Sequence, residues 1–474
     1  FIKINYQVQF PNYLKKYLQR SAMTKTKTNL AEAKFHIPEL QHRNFRDDDF
    51  WKKIPAWGQV SRDEFADHSW QAKNSIRKVE HVEKVLGKLV HDDLIKDIHE
   101  GQKRTPMNIR ITPYIFALID WQDPYNDPLR KQFLPLGSQF IPDHPYYLSD
   151  SLNEDADSPV PMLTHRYSDK VLFLPTTICP VYCSYCTRSR IIGGSTDTVE
   201  KESYGANQKN WDKVFDYIKK QPSVEDVVIS GGDAFMLTPE QIKYIGENLL
   251  NIPHIRRIRY ATKGIAIFPM KILTDDAWVK AFLQVHALGR SYFKQVMIHT
   301  HFSCPSEITK WSERAMERLF SEGVIVRNQG VLQNGVNNKI EDMVLLTRKV
   351  SYINIQPYYV YMHDMVPGCE HFRTTLREGV ELEKAVRGTT AGFNTPTFVC
   401  DLPGGGGKRH VASYEYYDEE NGISVWLAAN VKPGKVFTYF DPIHKLNHEA
   451  QKRWADPRTR EDMVLNAIKK AGLS

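Results

Sequence analysis

Short apolar runs recur along the second half of the chain, separated by stretches in which apolar residues return every three or four positions. The runs are VLFLPTT (171–177), DVVIS (226–230), RIRYAT (257–262), QVMIHT (295–300), VIVRNQGV (324–331), YINIQPYYV (352–360) and TPTFVC (395–400). NWDKVFDYIKK and SERAMERLFSEG, which lie between them, follow the helical period. Strand, helix, strand at this spacing predicts a parallel sheet of βα units, curled into a barrel or part of one. In such folds chemistry gathers where loops leave the C-terminal ends of the strands. Upstream, residues 67–90 carry Trp70, Ile76, Val79, Val82, Leu86 and Leu89 at helical spacing, which predicts one amphipathic helical segment. From there to about 165 the chain is richer in Pro and Asp, and DPYNDP (123–128) and DSPVP (157–161) predict turns and an extended connector.

The 474 residues, 41% hydrophobic, 25% charged and 11% aromatic, exclude global disorder, a fibrous repeat and a disulfide scaffold. No run approaches the ~18 apolar residues of a membrane helix, and the mean hydropathy is −0.47. The formal charge of +7 suggests nucleic acid until it is located. Lys3, Lys15, Lys16, Arg20, Lys25 and Lys27 precede the first acid, Glu32, so the excess sits in an N-terminal arm and the body is close to neutral. Neither a nucleic-acid nor a membrane partner is expected. The arm, which begins at Phe1, reads either as a mitochondrial presequence or as sequence upstream of a start at Met23. The expected organisation is a basic disordered or targeting arm (1–45), an N-terminal helical region and linker (46–165), an α/β core (166–400) and a C-terminal extension (401–474).

Of six cysteines, Cys179, Cys183 and Cys186 crowd into CPVYCSYC directly after an expected strand, while Cys304, Cys369 and Cys400 stand alone. This is not a secreted disulfide framework, and the triplet reads as a metal or cluster site in a reducing compartment, the cytoplasm or the mitochondrial matrix. Three thiolates can hold three corners of a 4Fe-4S cluster and leave one iron open for chemistry. Zinc is the competing reading, and it usually asks for a fourth Cys or His nearby. A second constellation is DLPGGGGKRH, 401–410. It is not a phosphate-binding Walker A loop, because Leu402 stands where the first glycine belongs and Arg409 follows the lysine where Ser or Thr is required. Four glycines present Lys408 from a flexible collar, and a lysine amine can form a Schiff base with a carbonyl cofactor such as pyridoxal 5′-phosphate (PLP). A plain glycine-rich loop is the alternative.

The spacing C-x3-C-x2-C, with Tyr185 before the last cysteine, resembles the radical S-adenosylmethionine (SAM) signature, in which the open iron chelates SAM and reduction yields a 5′-deoxyadenosyl radical. The run Ser230, Gly231, Gly232, Asp233 after the next strand resembles the glycine-rich loop that approaches the SAM amino group. Together with the lysine loop, these motifs resemble the lysine 2,3-aminomutase family. Nine blocks occur in the family's order: DPYNDPLRKQ, DSPVPMLTHRYSDKVLFL, CPVYCSYCTRSR, VVISGGDA, THFSCPSEIT, NQGVLQNGVN, QPYYVYMHDM, GCEHFRT and PTFVCDLPGGGGK. The resemblance implies a radical-SAM partial (β/α) barrel and an isomerase that shifts an α-amino group to the β-carbon with a 4Fe-4S cluster, SAM and PLP.

Carried over residue by residue, it implies Cys179, Cys183 and Cys186 as cluster ligands and Lys408 as the catalytic lysine that carries PLP. It implies Arg188 for the substrate carboxylate, a planar anion suited to a guanidinium. In THRYSDK it implies Arg166 and Lys170 for the PLP phosphate and Tyr167 for the ring, with Lys170 standing where the family has an arginine. Asp364 and Asp401, 37 residues apart, match the pair that holds the distal ammonium of lysine in the family. Two acids facing one pocket repel unless a cation lies between them, so a basic amino acid, L-lysine first, is the expected substrate. Arginine, another amino acid or a protein-bound lysine are the alternatives within this chemistry, and an Fe–S nucleic-acid-binding protein is the distant one. A flavodoxin- or ferredoxin-type reductant and a homo-oligomer are expected. The chain departs from the family at TKGIAIFP, where Lys263 replaces an arginine. It also lacks the C-terminal zinc cysteines of some members, because no cysteine follows Cys400. His299-x-His301 is expected to pack and hydrogen-bond near SAM rather than to bind metal.

Overall fold

All seven apolar runs become strands of one nine-stranded sheet in the computed structural model, which describes residues 41–201 and 208–473. The strands follow chain order: β1 (Leu163–Tyr167), β2 (Lys170–Phe173), β3 (Asp226–Ile229), β4 (Arg257–Ala261), β5 (Gln295–Thr300), β6 (Val326–Val331), β7 (Ile355–Tyr361), β8 (Thr397–Leu402) and β9 (Gly407–His410). Strands β2 to β8 pair in parallel, as their intervening helices require, and an antiparallel strand flanks each edge. β1 and β9 do not pair through their backbones, so this is a partial barrel. Its edges nonetheless approach, because Lys408 Nζ on β9 lies 3.5 Å from Tyr167 Oη on β1. The sheet curls until the two ends face each other across an open seam.

Longer helices between the strands are held by a buried stripe. In Gln208–Lys219 the buried residues are Trp211, Val214, Phe215 and Ile218, at the three-and-four spacing that points one helix face at the sheet. Pro239–Leu250 and Leu376–Val386 open with capping boxes, Thr238 with Gln241 and Thr375 with Glu378, each worth about 1 kcal/mol of helix stability.

Two expectations need correction. Residues 67–90 are not one helical segment but two helices, His68–Lys73 and Val79–Leu86, because Ile76 leaves the helix to exchange backbone hydrogen bonds with Ile111 (2.8 and 2.9 Å). Asn74 closes the first helix by donating to the carbonyl of Trp70. The stretch beyond it is also more structured than its Pro and Asp content implies, with helices Asp92–Arg104, Pro113–Leu118 and Pro128–Phe133. All six residues of Pro113–Leu118 are buried. The prolines here start helices instead of breaking a connector, with Asp127 capping the helix that opens at Pro128.

Most of the segment assigned to the basic arm, 1–40, lies outside the described residues. Its last residues, 41–45, are packed, with His42 buried edge-on to Tyr352 and Phe45 stacked on the same ring. The C-terminal extension forms a three-stranded antiparallel sheet, β10 (Tyr416–Asp418), β11 (Ile423–Leu427) and β12 (Val436–Phe440), followed by helices His448–Ala455 and Pro457–Lys470. No helix among the described residues is long and apolar enough to cross a membrane.

Candidate functional site

The functional candidates collect where the strands end. β2 leads through Thr176 and Thr177 into the cysteine loop, and the loop after β3 lies directly on it. Gly232 N–H donates to Thr176 O (2.7 Å) and Asp233 N–H to Ile178 O (3.0 Å). This contact explains both glycines. A Cβ on Gly231, whose φ is +97°, would stand 2.1 Å from Thr176 O, and one on Gly232 would stand 2.3 Å from Ile178 O. The Asp233 carboxylate is committed to backbone N–H groups of Phe235 (2.8 Å) and Lys263 (2.9 Å), so it fixes the glycine loop in place.

Cys179, Cys183 and Cys186 are partly exposed at the mouth of the barrel, whereas Cys304, Cys369 and Cys400 are buried. Burial around their sulfurs pushes the three thiols up, Cys183 to about 12, and cations pull them down: Arg110 at Cys179, Lys263 at Cys183, Arg188 and Lys201 at Cys186. A ring of positive charge around three thiols suits thiolate ligands of a negatively charged cluster. Among the described residues no group of three or more His, Cys, Asp and Glu side chains is placed to hold a single metal ion. Three thiols on one loop, each with a cation beside it, match a cubane that takes each thiolate at a separate iron and leaves the fourth iron open, so the donor set fits the 4Fe-4S cluster.

Beneath the loop, Lys263 is buried and donates to Glu307 Oε1 (2.8 Å) and to the carbonyl of His301 (2.8 Å). His301 Nε2 meets Ser303 Oγ at 2.9 Å and Tyr185 Oη at 3.2 Å, and His299 Nδ1 meets Gln329 at 3.0 Å. Burial and neighbouring arginines lower His299 to about 4.

The seam between the sheet edges holds the second constellation. In the β8–β9 hairpin Asp401 pairs directly with Lys408, and their side chains form an ion pair of 2.9 Å. Burial opposes the charge on Lys408, but Asp401 and the phenols of Tyr361 and Tyr167 hold its pKa well above the ordinary lysine value. The ammonium also sits over the rings of Tyr167 (5.3 Å) and Tyr361 (5.7 Å). The expected flexible collar is a tight turn: a Cβ on Gly406 would meet Leu402 and Phe437 at 2.8 Å, and one on Gly407 would meet Val431 at 2.7 Å. Arg166 Nε donates to Asp157 Oδ2 (2.7 Å) and its Nη2 to the carbonyl of Leu152. Lys170 pairs with Asp169 (2.8 Å) and lies 4.3 Å from the Tyr167 ring centroid. An amine flanked by two phenol rings, with Arg166 at the glycine turn, fits PLP.

Arg188 is gripped by Glu154, Nε to Oε2 at 2.9 Å and Nη2 to Oε1 at 2.6 Å. That fork uses one edge of the guanidinium and holds the plane steady. Asp364 accepts from Thr187 Oγ1 at 2.5 Å. Burial raises its pKa to about 7; the Thr187 hydrogen bond works against this, and repulsion by Asp401 and Glu154 adds to it. Asp364 and Asp401 thus share one electrostatic environment. Asp401 Oδ1 is buried with no hydrogen-bond partner among the described residues.

Glu154, Thr187 and Tyr361 are not singled out by the sequence reading. Glu154 lies in DSLNEDADSPV, where nothing separates it from its acidic neighbours. Tyr361, three residues before Asp364 at the end of β7, carries a usable signal in its place at a strand end.

No family model matches the chain. An L-lysine 2,3-aminomutase from Clostridium subterminale is 39% identical over 395 residues, covering 83% of this chain and 88% of that protein. One from Acetoanaerobium sticklandii is 38% identical over 84% and 89% of the two chains. A glutamate 2,3-aminomutase from Clostridioides difficile is 31% identical over 75% and 79%. Among solved structures, a radical SAM methyltransferase from Sphaerobacter thermophilus aligns at a TM-score of 0.32 and 16% identity, over 50% of this chain and 68% of that one, too distant to inform the site. With relatives of this identity along most of its length, the chain belongs to the lysine 2,3-aminomutase family, isomerases that work with a 4Fe-4S cluster, SAM and PLP.

Proposed function

We propose that this chain moves the α-amino group of L-lysine to the β-carbon, giving L-β-lysine. The observation that carries the choice of substrate is the acid pair: Asp364 and Asp401 repel one another beside Lys408, and Asp401 Oδ1 is buried without a partner. A cation between them relieves the repulsion and supplies that missing donor. In the free protein the Lys408 ammonium neutralises Asp401 at 2.9 Å. A substrate held in this pocket would bring its distal ammonium to Asp364 and Asp401. At the other end of the substrate, Arg188, held in orientation by Glu154, offers its second edge to the carboxylate.

We assign Cys179, Cys183 and Cys186 to the cluster, Ser230, Gly231, Gly232 and Asp233 to the loop beneath SAM, and Arg166, Tyr167, Lys170 and Lys408 to the PLP site. When bound, the cluster and SAM supply a hydrogen-abstracting radical, and PLP supplies a π-system through which nitrogen migrates. The protein positions the β-carbon by its two ends, between Arg188 and the acid pair, and the tyrosines over Lys408 shield the amine from water. A flavodoxin- or ferredoxin-type donor to the cluster, a homo-oligomer, and residence in the cytoplasm or mitochondrial matrix belong to the same proposal.

Anaerobic incubation with SAM, PLP, a reductant and L-lysine, followed by separation of α and β isomers, tests it. The expected product is β-lysine, with arginine and glutamate turned over far more slowly. Efficient conversion of either in place of lysine refutes the substrate assignment.

A further inference from the structure

We propose that Lys432 anchors the phosphate of the carbonyl cofactor in this chain, working beside Arg166. The proposal rests on the reading of Lys408 as the lysine that carries PLP.

Lys432 lies in the loop between β11 and β12, in the C-terminal extension that shows no catalytic signature in sequence. It is half-buried, and its Nζ donates to the carbonyl of Gly404 at 3.4 Å. Among the described residues no carboxylate stands within ion-pairing distance of it. A Cβ built on Gly405 would lie 2.8 Å from Lys432 Nζ and 3.3 Å from Arg166 Nε, so both cations stand against the same glycine. Gly405 has a φ of +85°, and any side chain there would fill the space the two cations approach. The next turn brings this loop to the cofactor lysine itself. A Cβ on Gly407 would meet Val431, the neighbour of Lys432, at 2.7 Å and Tyr167 Oη at 3.4 Å.

A phosphate monoester carries a charge of about −1.5 to −2 near neutral pH. Arg166 alone meets it poorly, because its charge is already shared with Asp157 and with the Leu152 carbonyl. Lys170, the other cation of THRYSDK, spends its charge on Asp169 and the Tyr167 ring. Among the described residues Lys432 is the cation beside this turn that no acid neutralises, and its compact ammonium complements the guanidinium fork. The C-terminal extension thereby becomes part of the cofactor site.

The test compares pyridoxal 5′-phosphate with pyridoxal, which lacks the phosphate, titrated into full-length apoprotein and followed by the cofactor's visible absorbance. Lys432→Ala is expected to weaken PLP binding about 10- to 100-fold, the range for loss of a charge-assisted hydrogen bond, and to leave pyridoxal binding unchanged. Lys432→Arg is expected to keep most of the preference for the phosphorylated form. Equal weakening of both ligands in Lys432→Ala, or an unchanged preference, overturns the proposal. If borohydride fails to fix PLP on Lys408 in the wild-type protein, the underlying reading falls and the proposal with it. If the wild type loads at Lys408 and Lys432→Ala keeps the full preference, the proposal alone falls.

Discussion

Replacing Asp364 by Asn removes one carboxylate of the acid pair and leaves a side chain of the same size. Raising its pKa from 3.8 to about 7 corresponds to about 4 kcal/mol against the charged form in the ligand-free site. Burial is the largest cause, with Asp401 and Glu154 adding repulsion and Thr187 and Lys408 opposing it. A substrate ammonium binds the ionised acid, so kcat/KM for lysine should fall about tenfold per pH unit below 7 and level off above 8. At pH 8 the Asn variant lacks a charge that the wild type has, and breaking a buried pair costs about 3–5 kcal/mol, or roughly 10²–10³-fold in kcat/KM. At pH 6 only about one wild-type site in ten is ionised, so the difference should shrink about tenfold. Titrations common to both proteins cancel in the ratio of their profiles. Anaerobic steady-state kinetics from pH 6 to 9 measures that ratio, with PLP loading as the control. Parallel profiles, or a variant with wild-type kcat/KM at pH 8, would refute the reasoning. The same shift has a stability consequence of defined sign. Because the folded pKa lies above the unfolded one, this residue destabilises the ligand-free protein progressively as pH rises from about 4 to about 7, and Asp364→Asn should abolish that contribution.

Replacing Cys183 by Ala should abolish reductive SAM cleavage, while Cys400→Ala should not; near four irons retained per Cys183→Ala chain after anaerobic reconstitution would contradict the cluster assignment. Borohydride treatment of the PLP-loaded protein should label Lys408 by peptide mapping, and label on Lys170 or Lys263 instead would remove Lys408 from its role. Gly231→Ala drives a Cβ onto the Thr176 carbonyl at a positive φ and should cost about 3 kcal/mol or more by urea midpoint, whereas Gly194→Ala, which meets only Asn108 at 3.6 Å, should cost about 1 kcal/mol or less.

The barrel is legible in the sequence because each strand writes its burial into a short apolar run and each helix into a three-and-four stripe, as Trp211, Val214, Phe215 and Ile218 illustrate. The cysteine loop and Lys408 are legible because their chemistry depends on local spacing. What is hidden is whatever depends on long-range pairing. Ile76 fits a helical stripe, yet its bonds with Ile111 pull it into a bridge. Glu154 is one acid among several until the fold lays it against Arg188, 34 positions away. Lys432 is further still from Arg166 in sequence, and no local pattern marks it. In sequence four glycines in a row read as loose, but Phe437 on β12 and Val431 in the loop before it make them tight.

The approach of β1 and β9 gives the seam a role in how the protein matures. Tyr167 and Lys408 come from opposite ends of the sheet, 241 residues apart, so every intervening βα unit must be in place before their side chains meet. A ligand joined to both edges acts as a clasp on the finished barrel, and binding only the completed form draws the folding equilibrium toward it by mass action. Cofactor loading then reports on the whole sheet. A lesion far from the seam that lets the edges spread should release PLP while most of the secondary structure is still intact.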